Sequence, residues 1–184
     1  FDLMAIHDIT TMNEIRKAMD EIDPTIFIYG EGWTAGDSPL PYEERAVKQH
    51  VSRMPGIAVF SDDIRDGLKG SWANAKEPAF AAGYQGYDET IKFSVVAATE
   101  HDSIHYGLVK YVNFPYAAEP SQVINYVSCH DDLCLVDKIN YSSPYGATPL
   151  EKRKFNRISQ SIVFLSQGVP FIYAGEELMR NKKG

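Results

Sequence analysis

Met12, Ile15, Met19 and Ile22 recur at helical spacing, and Thr11 with Glu14 offers a capping box at their head. Asp23-Pro24 ends that pattern, because the residue before a proline is pushed out of the helical region. A short unbroken apolar run then occupies 26–29 and stops at Gly30-Glu31-Gly32-Trp33. Similar runs occur at 57–60, 123–128 and 169–173, each followed by polar residues. Between them the pattern predicts helices over 42–54, from a Ser61 cap to Leu68, over 88–99, over 132–140 and over 149–167. The last is the clearest, with Phe155, Ile158, Ile162 and Leu165 on one side and Gly168 as its stop. Residues 67–86, rich in glycine, alanine and aromatic residues, read as an irregular excursion.

Strands of four to six apolar residues that alternate with helices are the pattern of a parallel sheet buried on both faces. Two α/β architectures place ligands at the carboxyl ends of such strands, the (β/α)8 barrel and the open doubly wound sheet. The second lacks its glycine-rich phosphate loop here.

Composition narrows the function classes without choosing one. The chain has 184 residues with 18 Lys+Arg against 25 Asp+Glu, a formal charge of -7 that argues against nucleic-acid binding. No apolar run approaches the ~20 residues of a membrane span, and Phe1-Asp2-Leu3-Met4 carries no basic n-region of a signal peptide. Cys129 and Cys134 form no CxxC pair and read as free thiols.

The polar residues that follow the strands carry the chemistry: Asp2, Glu31, Asp62-Asp63, His130-Asp131 and Glu176-Glu177. If the strands lie side by side, Asp2, Glu31 and Asp131 bring three carboxylates over one cleft. Crowded carboxylates acquire split proton affinities, one ionised and one protonated, which is what cleavage of a glycosidic bond needs. Each taken singly reads better as a helix N-cap; only the three together, one beside a Trp, give the catalytic reading equal weight.

FDLMAIHD at 1–8, YGEGW at 29–33, YVSCHDD at 126–132 and GVPFIYAGEE at 168–177 resemble, in order, motifs of the α-amylase superfamily, glycoside hydrolase family 13. Gly30-Glu31-Gly32-Trp33-Thr34-Ala35-Gly36, Ala5-Ile6 and FSDDIRDGLKGS at 60–71 are most similar to its type I pullulanase and debranching group. The resemblance implies a retaining hydrolase of α-1,6-glucosidic bonds in pullulan, starch or glycogen, needing no cofactor or metal. It implies Asp2 as nucleophile, Glu31 as general acid and base, and Asp131 as stabiliser of the distorted sugar. His130, Trp33 and Asp132 would bind substrate, an α-glucan.

The sequence departs from the family pattern at several points. The family's Arg two positions before the nucleophile and its earlier Asn-His motif have no counterpart here, Asp132 stands where many relatives have Asn, and Val136 where many have Trp. The expectation is therefore a partial TIM (β/α)8 barrel, approximately strands 4 to 8 with their helices, with residues 1–184 the C-terminal part of a catalytic barrel. Such a piece is expected to be nearly inactive alone and to self-associate through open strand edges, while a secreted or cell-envelope location suits the full-length parent. Two rivals remain: a non-catalytic glucan-binding or structural barrel fragment using Trp33 and Trp72, and a metal reading. The latter rests on His101 and His105 at i, i+4, a relaxed zincin pattern without a third ligand, or on His7-Asp8 with His130-Asp131.

Overall fold

The structure, a computed structural model, describes residues 1–183. Four parallel strands pair in chain order: β1 (Ile28–Gly30), β2 (Ile57–Phe60), β3 (Val123–Asn125) and β4 (Val169–Pro170). The register pairs Ile28 with Ile57, Val59 with Val123 and Ile124 with Val169. Among the described residues five α-helices accompany them: α1 (Ile9–Ile22) before β1, α2 (Asp62–Lys69) and α3 (Asp88–Val95) between β2 and β3, and α4 (Leu135–Ser142) and α5 (Pro149–Leu165) between β3 and β4. The α/β arrangement expected from the pattern is present, except that no α-helix separates β1 from β2.

Phe1 continues the sheet beyond β1. Its amino group donates to Tyr29 O at 2.7 Å, and its carbonyl accepts from Glu31 N at 2.9 Å. Those two bonds are one step of a parallel ladder, and they set Phe1-Asp2 beside Gly30-Glu31. Gly30 permits the approach, since a Cβ there would lie 2.7 Å from Phe1 O.

The elements are shorter than the apolar runs, and some start elsewhere. Asp8, not Thr11, caps α1: its carboxylate accepts from Thr11 N at 2.7 Å and Thr11 Oγ1 at 2.8 Å. The 42–54 segment is not an α-helix but two 3-10 turns, Tyr42–Glu44 and Lys48–Arg53. Between them Ala46 is buried and its N–H donates to His7 O at 3.0 Å, so the chain is held extended where a helix would need it coiled. Helix α3 stops at Val95 because Ala97 and Ala98 turn left-handed, and Ala98 O then accepts from Tyr116 N and Ala117 N. The helix after β3 begins at Leu135, so residues 132–134 remain loop.

Two apolar clusters hold the layers together. Met4, Met12, Val51, Met54, Ile57, Val59 and Phe93 form the larger; Ile64, Leu68, Val127, Leu135, Ile139 and Val163 form the other. A different set of side chains is aromatic. Phe60 meets Tyr29, Tyr126 and Phe171 edge-on at 5.7, 4.9 and 5.2 Å between ring centres. Phe27 stacks on Tyr29, and the two remain 48% and 37% exposed, so this aromatic surface is open at the β1 side. Among the described residues no helix is long and apolar enough to cross a membrane.

Candidate active site

Glu31 follows β1 directly and is almost wholly buried. Leu3 N donates to its Oε2 at 2.9 Å. Leu3 reaches that position in a left-handed conformation, φ 50° and ψ 46°, which an L-residue holds only when its surroundings enforce it. Burial raises the proton affinity of the Glu31 carboxyl. The Leu3 N–H opposes this, and the Asp2 and Asp131 carboxylates reinforce it. Glu31 is thus disposed to hold a proton.

Asp2 projects beside it into solvent. His130 Nε2 lies 3.8 Å from Asp2 Oδ1 and 3.3 Å from Asp131 Oδ1. One donor atom each from Asp2, Glu31 and His130 falls within 4.8 Å of the others. Phe60, Tyr126 and Phe171 floor the 200 Å³ cavity that contains these three groups. Asp131 sits on a loop six residues past the end of β3, rather than at a strand end as expected.

The other expected binding residues gather next door. Trp33, Asp131 and Asp132 line a second cavity of 270 Å³ together with Asp62, Arg65 and Trp72. Asp131 lines this second cavity and meets the first through His130, 3.3 Å away. Arg65 was not legible as a site residue. It is buried, pairs with Asp66 at 2.6 Å and donates to Tyr126 OH at 2.9 Å, so it joins the second cavity to the floor of the first. Its position, one turn into the helix after β2, is the only signal the sequence offered.

Asp62 and Asp63 divide their work. Asp63 is fully buried, paired with Lys48 at 2.8 Å and bonded to Tyr116 OH at 2.9 Å. Burial raises its proton affinity and the Lys48 ammonium counters it. Lys48 Nζ also contacts Asp62. Gly32 makes room for this lysine, whose N–H donates to Gly32 O at 2.9 Å.

The zincin pattern fails because 101–105 is not helical, so His101 and His105 share no helix face. His101 Nδ1 instead accepts from Ser103 N at 3.1 Å, and His105 N donates to Glu89. His7 packs edge-on against Phe1. Among the described residues, the one grouping able to hold a metal ion is Asp2, Glu31 and His130. Cys129 and Cys134 are both free.

No family model matches the chain. The pullulanase of Bacillus subtilis is 34% identical over 184 residues, covering all of this chain and 24% of that protein. The crystal structure of apo pullulanase from Paenibacillus barengoltzii superposes with a TM-score of 0.88 at 43% identity, over 100% of this chain and 27% of that one. Pullulanase from Anoxybacillus sp. LM18-11 complexed with maltotetraose gives 0.86 at 40% identity, over 100% and 24%. The chain is pullulanase-like along its whole length. It spans about a quarter of the length of the pullulanases it matches. Their likeness extends the resemblance from the four motifs to every element between them, including the long excursion after α2.

Proposed function

We propose that this chain carries the reacting groups of a pullulanase-type debranching glycoside hydrolase, which cleaves α-1,6-glucosidic bonds in pullulan, starch or glycogen. The observation that carries the proposal is the meeting of Asp2, Glu31 and His130 within 4.8 Å at one sheet edge, with Glu31 buried and biased toward its protonated form. A retaining glycosidase needs its two carboxyls about 5–5.5 Å apart, whereas an inverting one needs room for a water between them. The close pair here supports retention.

In this reading the exposed Asp2 carboxylate attacks the anomeric carbon while Glu31 protonates the departing oxygen. That leaves a β-glycosyl ester on Asp2. Glu31, now ionised, takes a proton from water, which displaces Asp2 and restores the α configuration. Asp131 and His130 bind the hydroxyls of the distorted sugar, and Asp132 contacts the substrate beside them. Trp33 and Trp72 offer faces for neighbouring glucose units. The Anoxybacillus relative's complex with maltotetraose supports an α-glucan as ligand. The same reading makes the four strands, with Phe1 beside them, an arc of approximately strands 4 to 8 of a (β/α)8 barrel. The chain-order pairing and the open aromatic face, which would then line the barrel interior, support it.

Proton NMR of the first sugar that the full-length parent releases from pullulan tests the chemistry. The α-anomer is expected, and β-anomer would remove Asp2 as nucleophile. Glu31→Gln should lower the rate by roughly two to four orders of magnitude. EDTA should leave the rate unchanged; loss restored by zinc would assign the Asp2-Glu31-His130 group to a metal instead.

A further inference from the structure

We infer that Lys182 is a positioning residue for Asp131, holding the loop that carries it by gathering three consecutive backbone carbonyls. The inference rests on Asp131 and His130 acting at the site proposed above. Their side chains are 55% and 68% exposed, so packing does little to fix them. Whatever precision they have must come from their backbone.

That backbone is fastened from outside. Lys182 Nζ donates to the carbonyls of His130 at 2.7 Å, Asp131 at 3.0 Å and Asp132 at 3.0 Å. An ammonium has three donors and no acceptor, so these bonds use all of its donors. Three successive carbonyls do not ordinarily converge on one point. They do here as the chain turns through Asp132, whose φ is +52°. The loop is thus a cage of partial negative charge with a tethered cation in it.

The lysine is held in turn. Its own N–H donates to Asp137 Oδ2 at 2.7 Å, an oxygen that also accepts from Cys134 Sγ at 3.0 Å. Asp137 is buried in the first turn of α4, the helix into which the loop runs. Other side chains fasten the loop's flanks. Ser128 Oγ accepts from Leu135 N at 2.8 Å and donates to buried Glu176, and Lys69 Nζ donates to Leu133 O at 2.8 Å. Glu176 and Lys182 both come from the segment after β4. That segment therefore braces a loop some fifty residues earlier, and Lys182 supplies its central bonds.

Lys182→Met in the full-length parent, which keeps the stem and deletes the donors, is the test. Amide hydrogen exchange should quicken across 129–134 and stay unchanged in α1 and α5. On pullulan, kcat should fall by about 100-fold, the loss that a misplacement of about 1 Å causes, with KM within about twofold of the original. Lys182→Ala should lose activity likewise and regain part of it with propylammonium, which replaces the missing atoms, but not with tetramethylammonium, which has no N–H. Unaltered exchange in 129–134, or quickened exchange with unaltered kcat, overturns the assignment. If the unmodified full-length parent does not hydrolyse pullulan, the debranching reading fails, and the exchange measurement still decides whether the brace exists.

Discussion

The glycines of Gly30-Glu31-Gly32-Trp33-Thr34-Ala35-Gly36 differ sharply in the space around them, which gives a test with its own control. A Cβ on Gly32 would lie 2.4 Å from Lys48 N and 2.7 Å from Lys48 Cα, against the 3.4 Å of ordinary contact. The shortfall is about 1 Å and is against backbone, so no rotamer change relieves it. Lys48 cannot retreat freely, because its ammonium holds Asp62 and Asp63 in the buried cluster behind β2. Gly32→Ala should therefore cost about 1–3 kcal/mol through overpacking. In a chain of this size that lowers the melting temperature by about 3–10 °C. The strain falls on the residue next to Glu31, and a 1 Å displacement of a reacting group costs about 100-fold in rate. At Gly36 nothing lies within 4 Å of the added Cβ. Gly36→Ala should be neutral, or stabilising by up to about 1 kcal/mol through the unfolded state. Thermal denaturation followed by circular dichroism and a reducing-sugar assay on pullulan measure both variants. Equal behaviour of the two, in either direction, would refute the reasoning.

Glu31 should show a pH-dependent trade between stability and activity. Its carboxyl holds a proton in the folded state at pH values where the unfolded chain has lost it, so stability falls as pH rises from the unfolded pKa through the raised folded one. Glu31→Gln, although inactive, should be more stable than the parent at pH 7 and not at pH 4; urea unfolding at both values checks this, and a gain independent of pH counts against it. Burial, aided by the Arg65 charge, pushes the Lys69 ammonium from 10.5 down to about 8. Between those two values the folded state gives up a proton that the unfolded chain keeps, so stability due to Lys69 rises with pH there. The urea stability of the parent minus that of Lys69→Met should increase on the order of 3 kcal/mol from pH 7 to above pH 10, and a flat difference would show the lysine to be solvated.

The strands were legible because each is a short, mostly apolar run with charged residues within a few positions of its end, a pattern that depends on local burial alone. Their ends were not legible, because pairing sets them. The apolar run at 169–173 yields only two ladder residues in β4, where Asn125 faces Pro170, a residue without an N–H. The same holds for 42–54. Its polar and apolar positions suit a helix, but buried Ala46 and its bond to His7 O were decided by the segment just before α1, more than thirty residues earlier. At the start of α1 two residues compete for the same cap. Asp8 and Thr11 are both good caps, and Asp8 prevails by satisfying both the Thr11 N–H and its hydroxyl.

At the site, a charged residue immediately after a buried strand is a strong signal, since few charges survive there without a partner or a task. It picked out Glu31. It does not separate the partner from the task. Asp62 and Asp63 are adjacent, equally acidic and at the same strand end, yet Asp63 is consumed by Lys48 and Tyr116, while Asp62 also lines the cavity with Trp33 and Asp131. The difference lies in a lysine fourteen and fifteen positions away and a tyrosine more than fifty away, neither remarkable in its own stretch. The same asymmetry explains why Arg65 and Lys182 escaped notice. Groups that react must sit where the chain leaves the core, and position in the pattern reveals them. Groups that hold them in place act through backbone carbonyls, which every residue type supplies, and through hydroxyls distant in the chain, so only the folded geometry identifies them.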